Sequence, residues 1–107
     1  MNVVLLEKGA LERIRSGIGL IVNATPIGMF PEKGFSAWPE GLVFPDGAAV
    51  YDLVYNPRQT RLVRDAQAAG LRATTGLGML VEQAALSFAC WTGQVVSPEI
   101  MLAAVEA

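Results

Sequence analysis

Histidine is missing altogether from this 107-residue chain, and cysteine occurs once, at Cys90. The first absence removes the commonest general base and zinc ligand. The second removes any disulfide framework or thiolate metal cluster. Charge is sparse too: 17 % of residues are charged, against about 25 % in ordinary soluble domains. The formal net charge is −2 and the 8 Lys and Arg are scattered, so no basic patch is available for a nucleic-acid backbone. No apolar run approaches the length that spans a bilayer, and no signal or transit peptide precedes the first apolar segment. These absences predict a cytoplasmic protein with no metal site and neither a nucleic acid nor a membrane as partner.

What the chain has in plenty is apolar residues, 52 % of the total, with a mean hydropathy of +0.40. A domain this short removes only roughly 60–65 % of its unfolded surface from water. Part of the apolar surface is therefore expected to pack on another domain or subunit. "NVVLLE" reads as a short buried strand and "GALERIRSG" as a short helix bounded by Gly9 and Gly17. Leu20, Ile21 and Val22 form a continuous apolar run, the pattern of a strand covered on both faces, and Pro26 forbids its continuation.

Residues 29–47 are rich in Pro and Gly without any period and read as a loop with room for a turn of helix. "AAVYDLVY" is a second apolar strand, halted by "NPRQT". There Asn56 is placed to cap a helix, Pro57 to begin it and Gln59 to close a capping box. Leu62, Val63, Ala66 and Ala69 give this helix one apolar face, and Gly70 ends it. "LRATT" predicts a third strand, a helix runs from about Gly78 to Thr92, and Ser97-Pro98 opens a last one. Strands alternating with helices through short links predict an α/β chain on a parallel sheet, half of a doubly wound fold.

"TTGLGMLVEQ" places two glycines between a predicted strand and a helix, where a dinucleotide pyrophosphate is often held. The pattern is incomplete. Its third glycine position is Val81, no strand follows the helix, and Glu99, at about the right separation for a ribose contact, starts a helix instead of ending a strand. Gly76 and Gly78 are better read as allowing a close approach of backbone at an exposed helix N-terminus.

Three segments, "VNATPIGM", "YDLVYNPRQTRLVRDAQAAGL" and "TGLGMLVEQAALSFACWTG", occur here in an order and spacing that resemble the shikimate dehydrogenases. The resemblance runs over nearly the whole chain and is weakest before Gly17. It implies that residues 1–107 form part of a Rossmann-like NADP-binding domain with its C-terminal helices. The implied activity is the NADP-dependent reduction of 3-dehydroshikimate to shikimate in aromatic amino-acid biosynthesis. The family's glycine-rich pyrophosphate turn, its stretch for the 2′-phosphate and its substrate-binding N-terminal domain have no counterpart here. Neither Lys8 nor Lys33 matches the family's catalytic lysine, and Asp46, Asp52 and Asp65 do not match its aspartate. No catalytic residue is expected in this chain, and the isolated chain is expected to be inactive.

By the same resemblance, Tyr55 and Gln83 contact the substrate, Gly76 and Leu53 meet the nicotinamide end of NADP, and Asn23, Ala24 and Thr25 lie along the nucleotide. All of these but Gly76 have a plainer reading. Tyr55 can be a tyrosine packed at a sheet edge, Gln83 a solvent-exposed side chain and Leu53 ordinary core. Residues 23–25 can be a strand-ending turn held by side-chain hydrogen bonds. Asp52 invites a catalytic role but reads as structural, bonding nearby backbone. Cys90 reads as a small core residue, and Arg58, Arg61, Arg64 and Asp65 as a solvated helix face. Two further possibilities stay open. One is a non-catalytic module that dimerises through an open sheet edge, in place of a missing N-terminal partner. The other is a change of substrate to quinate.

Overall fold

The computed structural model describes residues 3–106. In chain order it contains α1 (Lys8–Ile14) with a short 3-10 turn (Arg15–Gly17), β1 (Leu20–Asn23), β2 (Ala49–Asp52), α2 (Arg61–Ala68), β3 (Arg72–Thr75), α3 (Leu77–Thr92) and α4 (Pro98–Glu106). The three strands run parallel in the order β1-β2-β3, with Asn23 level with Asp52 and Asp52 level with Thr75. The α/β class and parallel sheet follow the sequence expectation. The described chain divides after Thr75 into a sheet unit and a helical unit.

In the sheet unit β2 lies in the middle, which is why its apolar Val50 is 2 % exposed. Leu62, Val63 and Ala66 recur at helical spacing and are all buried as α2 packs on β2 and β3. Gly70 ends this segment in the left-handed region, φ +84°. The helix cap differs from expectation. Thr60, not Asn56, caps α2, its hydroxyl accepting from the Val63 amide at 3.3 Å. Gln59 instead donates to Gln67 at 3.0 Å. Ala69 falls just past the helix and is exposed.

The long connection from β1 to β2 contains no helix, yet it supplies core. Trp38 and Leu42 are buried with Val50, Leu62 and Ala66. The Trp38 ring stacks on Phe44 with centroids 5.3 Å apart, and its Nε1 donates to the Leu42 carbonyl at 2.9 Å. Arg61 reaches back to this loop, donating to the Gly34 carbonyl at 2.8 Å. That side chain is therefore a tie between helix and loop, not part of a free charged face.

Two strand expectations fail. Of "NVVLLE", Asn2 lies outside the described residues, and residues 3–6 form no strand; Val3 is 85 % and Leu5 73 % exposed. An apolar run becomes a strand only where a neighbour takes its backbone bonds, and among the described residues β1 pairs with β2 alone. Nor is β1 covered on both faces. Ile21 packs against the core, whereas Leu20 and Val22 point to the other face and remain 60 % and 50 % exposed.

The helical unit is a pair, α3 packed on α4. Only Val81 and Ala85, one turn apart, are buried along the 16 residues of α3. Cys90 is exposed, contrary to its reading as core. Five residues beyond Ala85 places it about 140° around the helix, away from the buried stripe. Among the described residues no helix is long and apolar enough to cross a membrane.

Candidate functional site

Parallel strands bring their carboxyl ends to one rim, and there β1 and β2 stop in the same manner. Asn23 and Asp52 occupy level positions, and each turns the chain with its own side chain. Asn23 Oδ1 accepts from the Thr25 amide at 3.0 Å and from its hydroxyl at 2.6 Å. Asp52 Oδ1 accepts from the Val54 amide at 3.0 Å. Such turns satisfy a backbone donor that would otherwise have sought a ladder partner. This is why β2 ends at Asp52, three residues short of Tyr55.

The two turns are bonded to each other. Asn23 Nδ2 donates to Asp52 Oδ1 at 3.0 Å and to the Ile27 carbonyl at 3.2 Å. Thr60 Oγ1 donates to Asp52 Oδ2 at 2.7 Å. Asn23 is 3 % exposed, and Asp52 and Thr60 are fully buried. A carboxylate out of water is tolerated only with such donors. Both Asp52 oxygens are therefore occupied inside the protein, which fits its structural reading.

Beyond these turns the chain opens into a cleft of about 460 Å³. Ala24 and Thr25 from the first turn and Leu53 and Tyr55 from the second line it, together with Met29 and Phe30. The Phe30 amide donates to the Asn56 carbonyl at 2.8 Å, tying its segment to that of Tyr55. Gly28 permits this loop, with φ +94° and a would-be Cβ only 2.9 Å from the Phe35 carbonyl oxygen. Tyr55 is 44 % exposed, so a large part of its ring faces solvent. Among the described residues no charged side chain lines the cleft. It therefore suits a flat ring with polar edges and does not suit a diphosphate.

Four of the seven sequence-derived site residues thus share one cleft. Asn23 does not line it; its side chain is used up in holding the turn. Gly76 and Gln83 belong to the helical unit. Gly76 is buried and precedes α3, its carbonyl accepting from the Leu80 amide at 2.9 Å. Gln83 is exposed one turn after Met79, so no buried amide requires a ligand there. Sequence reading missed Met29, Phe30 and Thr60. The signal for Thr60 was the lone carboxylate in an apolar strand, which demands a donor from somewhere.

Comparison with known proteins relates the chain to a family by sequence and by fold. Residues 76–106 match the shikimate 5′-dehydrogenase C-terminal domain. The NADP(+)-dependent shikimate dehydrogenase of Salinibacter ruber is 46 % identical over 86 % of this chain, which covers 32 % of that relative. The crystal structure of the Thermus thermophilus shikimate 5-dehydrogenase with NADP(H) and shikimate is 41 % identical and superposes with a TM-score of 0.77. That match covers 89 % of this chain and 36 % of that one. A 5-ketofructose reductase from a Gluconobacter species is 32 % identical with a TM-score of 0.72, over 85 % of this chain and 32 % of that one. The chain spans about a third of the length of the curated relatives it matches. In sequence and in fold it is similar to the C-terminal part of the shikimate dehydrogenases.

Proposed function

We propose that this chain supplies the nicotinamide-facing wall and part of the substrate anchor of an NADP-dependent shikimate dehydrogenase. The observation that carries the reading is the uncharged cleft that gathers Ala24, Thr25, Leu53 and Tyr55 at the strand ends. Its residues fit the nicotinamide end of NADP, the group that supplies the hydride when bound. The apolar Leu53 would lie against the ring, and Ala24, Thr25 and the Asn23 turn would border the nucleotide. Tyr55 offers a hydroxyl to the carboxylate of shikimate or 3-dehydroshikimate. By resemblance to the family alone, Gly76 is assigned to the nicotinamide and Gln83 to the substrate. Holding a hydride donor against its acceptor contributes several kcal/mol of barrier lowering through proximity alone, about 7 at the lower end for well-oriented groups. The chain's own groups orient and exclude water; they include no lysine–aspartate pair at the cleft to move the proton.

The test is to titrate the isotopically labelled chain with NADP+ and with shikimate and follow its amide resonances. The reading expects NADP+ to move Ala24, Thr25 and Leu53 and shikimate to move Tyr55. It also expects no oxidation of NADPH with 3-dehydroshikimate by the chain alone. Shifts confined to the cleft at the opposite strand ends, around Phe44 and Arg72, would overturn it. A second reading, an assembly module without catalysis, is favoured by the exposed Leu20 and Val22 on the edge strand. Light scattering separates it, since a strict monomer at high concentration removes its basis. A change of substrate to a keto sugar is supported by the likeness to the ketofructose reductase, and quinate remains the other candidate from the family resemblance. Parallel titrations with those compounds decide among the three.

A further inference from the structure

The rim is built from two turns that share one carboxylate, and a third segment is fastened to the same group. We infer that Asp52, with Asn23 and Thr60, is a positioning device that fixes the spacing of the two cleft walls, and that neither wall is set by its own loop alone. The inference rests on the reading of the cleft as the nicotinamide site. The atoms decide the geometry. Asp52 Oδ1 takes the Val54 amide of one turn and Asn23 Nδ2, which holds the other turn from outside the cleft, both at 3.0 Å, while Oδ2 takes the Thr60 hydroxyl at 2.7 Å. Asn23 Oδ1 in turn holds the Thr25 amide at 3.0 Å, and the Thr25 hydroxyl holds the Ile27 amide at 3.2 Å.

A continuous run of hydrogen bonds therefore passes from the cap of α2, through a fully buried carboxylate, to Thr25 and Val54 in the cleft lining. Such a network transmits a displacement because its buried members, Asn23, Asp52 and Thr60, have no alternative partner in water. Thr60 lies outside the cleft lining and belongs to the device only through Asp52. It is the member whose loss distinguishes positioning from contact with a ligand.

The experiment compares Thr60→Val, which keeps the shape and removes the hydroxyl, with Thr60→Ser, which restores it, and Asp52→Asn, which alters the shared group. Val50→Ala serves as control, since that buried side chain makes none of these bonds. Amide resonances of Thr25 and Tyr55 should move together in Thr60→Val and Asp52→Asn, return in Thr60→Ser and stay in place in Val50→Ala. NADP+ binding should weaken about tenfold in Thr60→Val and recover in Thr60→Ser, by analogy with the loss seen when the outer partners of metal ligands are removed. Unmoved Thr25 and Tyr55 amides, or equal weakening in Val50→Ala, would overturn the inference. Absence of NADP+ binding by the unaltered chain would count against the proposed function alone. The amide pattern then still decides the positioning role. If Thr60→Val fails to fold, Asp52→Asn and Asn23→Ser carry the same comparison.

Discussion

The sheet unit and the helical unit solve the problem of a small core differently. Residues up to Thr75 enclose Trp38, Leu42, Val50, Leu62 and Ala66 in one cluster and satisfy a buried carboxylate with three donors. The helices after Gly76 are richer in apolar residues yet bury little. Leu86 is 72 %, Trp91 82 % and Val95 93 % exposed. Composition alone would have ranked their stability the other way. What separates them is closure: β2 has a strand on each side and a helix across it, whereas α3 has a stripe of two buried residues. Apolar content stabilises only where geometry removes it from water.

The largest effect that could break this contrast is at Leu62, 1 % exposed at the centre of the cluster. Leu62→Ala should cost about 2–5 kcal/mol, read as a lowered urea midpoint of the sheet unit. A cost under about 0.5 kcal/mol, the level of surface changes, would mean the cluster is not the stabilising core. Next comes Thr60→Ala. It removes the α2 cap and one donor to Asp52, and about 1–2 kcal/mol is expected from cap and buried-bond data. Hydrogen exchange sharpens the comparison further. Amides of β2 should outlast those of α3 and α4, because protection follows buried contact density. The reverse order would show the helical unit to be the stable one.

How far the sequence revealed this structure depends on the range of the interactions involved. Helix α2 was readable because its determinants, Leu62, Val63, Ala66 and Gly70, sit within a few residues of one another. The carboxyl-end rim was readable because strand runs stop at recognisable turn residues, and the family resemblance pointed to Ala24, Thr25, Leu53 and Tyr55. Trp38 was invisible, since a buried ring in a loop without periodicity leaves no local pattern. The cap was misplaced because Asn56 and Gln59 meet the spacing rule, while Thr60 is selected by an acceptor eight residues earlier. Asn23 and Asp52 are 29 residues apart, and nothing local in the sequence ties them. The run at residues 3–6 was misread because its pattern specifies an apolar segment but not a neighbour to pair with.

Smaller effects are expected in the helical unit. Trp91 is 82 % exposed, so Trp91→Glu should change stability by less than about 0.5 kcal/mol, as surface substitutions do. The same change should reduce any self-association seen by sedimentation at high concentration, because exposed apolar area drives such contacts. Strong destabilisation by Trp91→Glu would show that this ring is part of a core after all.

The smallest effect lies at the start of α4, where local hydrogen bonding alone is at work. The Ser97 hydroxyl donates to the Glu99 carboxylate, and the Glu99 backbone amide donates as well. Both favour the charged form and hold this carboxyl below the ordinary glutamate range, the serine contributing more. A depressed pKa means that the stabilising contribution is present above the unfolded-state value. It is lost as the pH falls through the lowered folded-state value. A negative charge in the first turn also favours the helix dipole, so acidification through the lowered value should fray the first turn of α4. Ser97→Ala should move the Glu99 titration upward in a carboxyl-detected pH series and leave the Asp52 network untouched. If the titration of Glu99 stays where it was, the serine is not the cause of the depression. The backbone amide would then remain as its source, and α4 would keep its acid response without a side-chain partner.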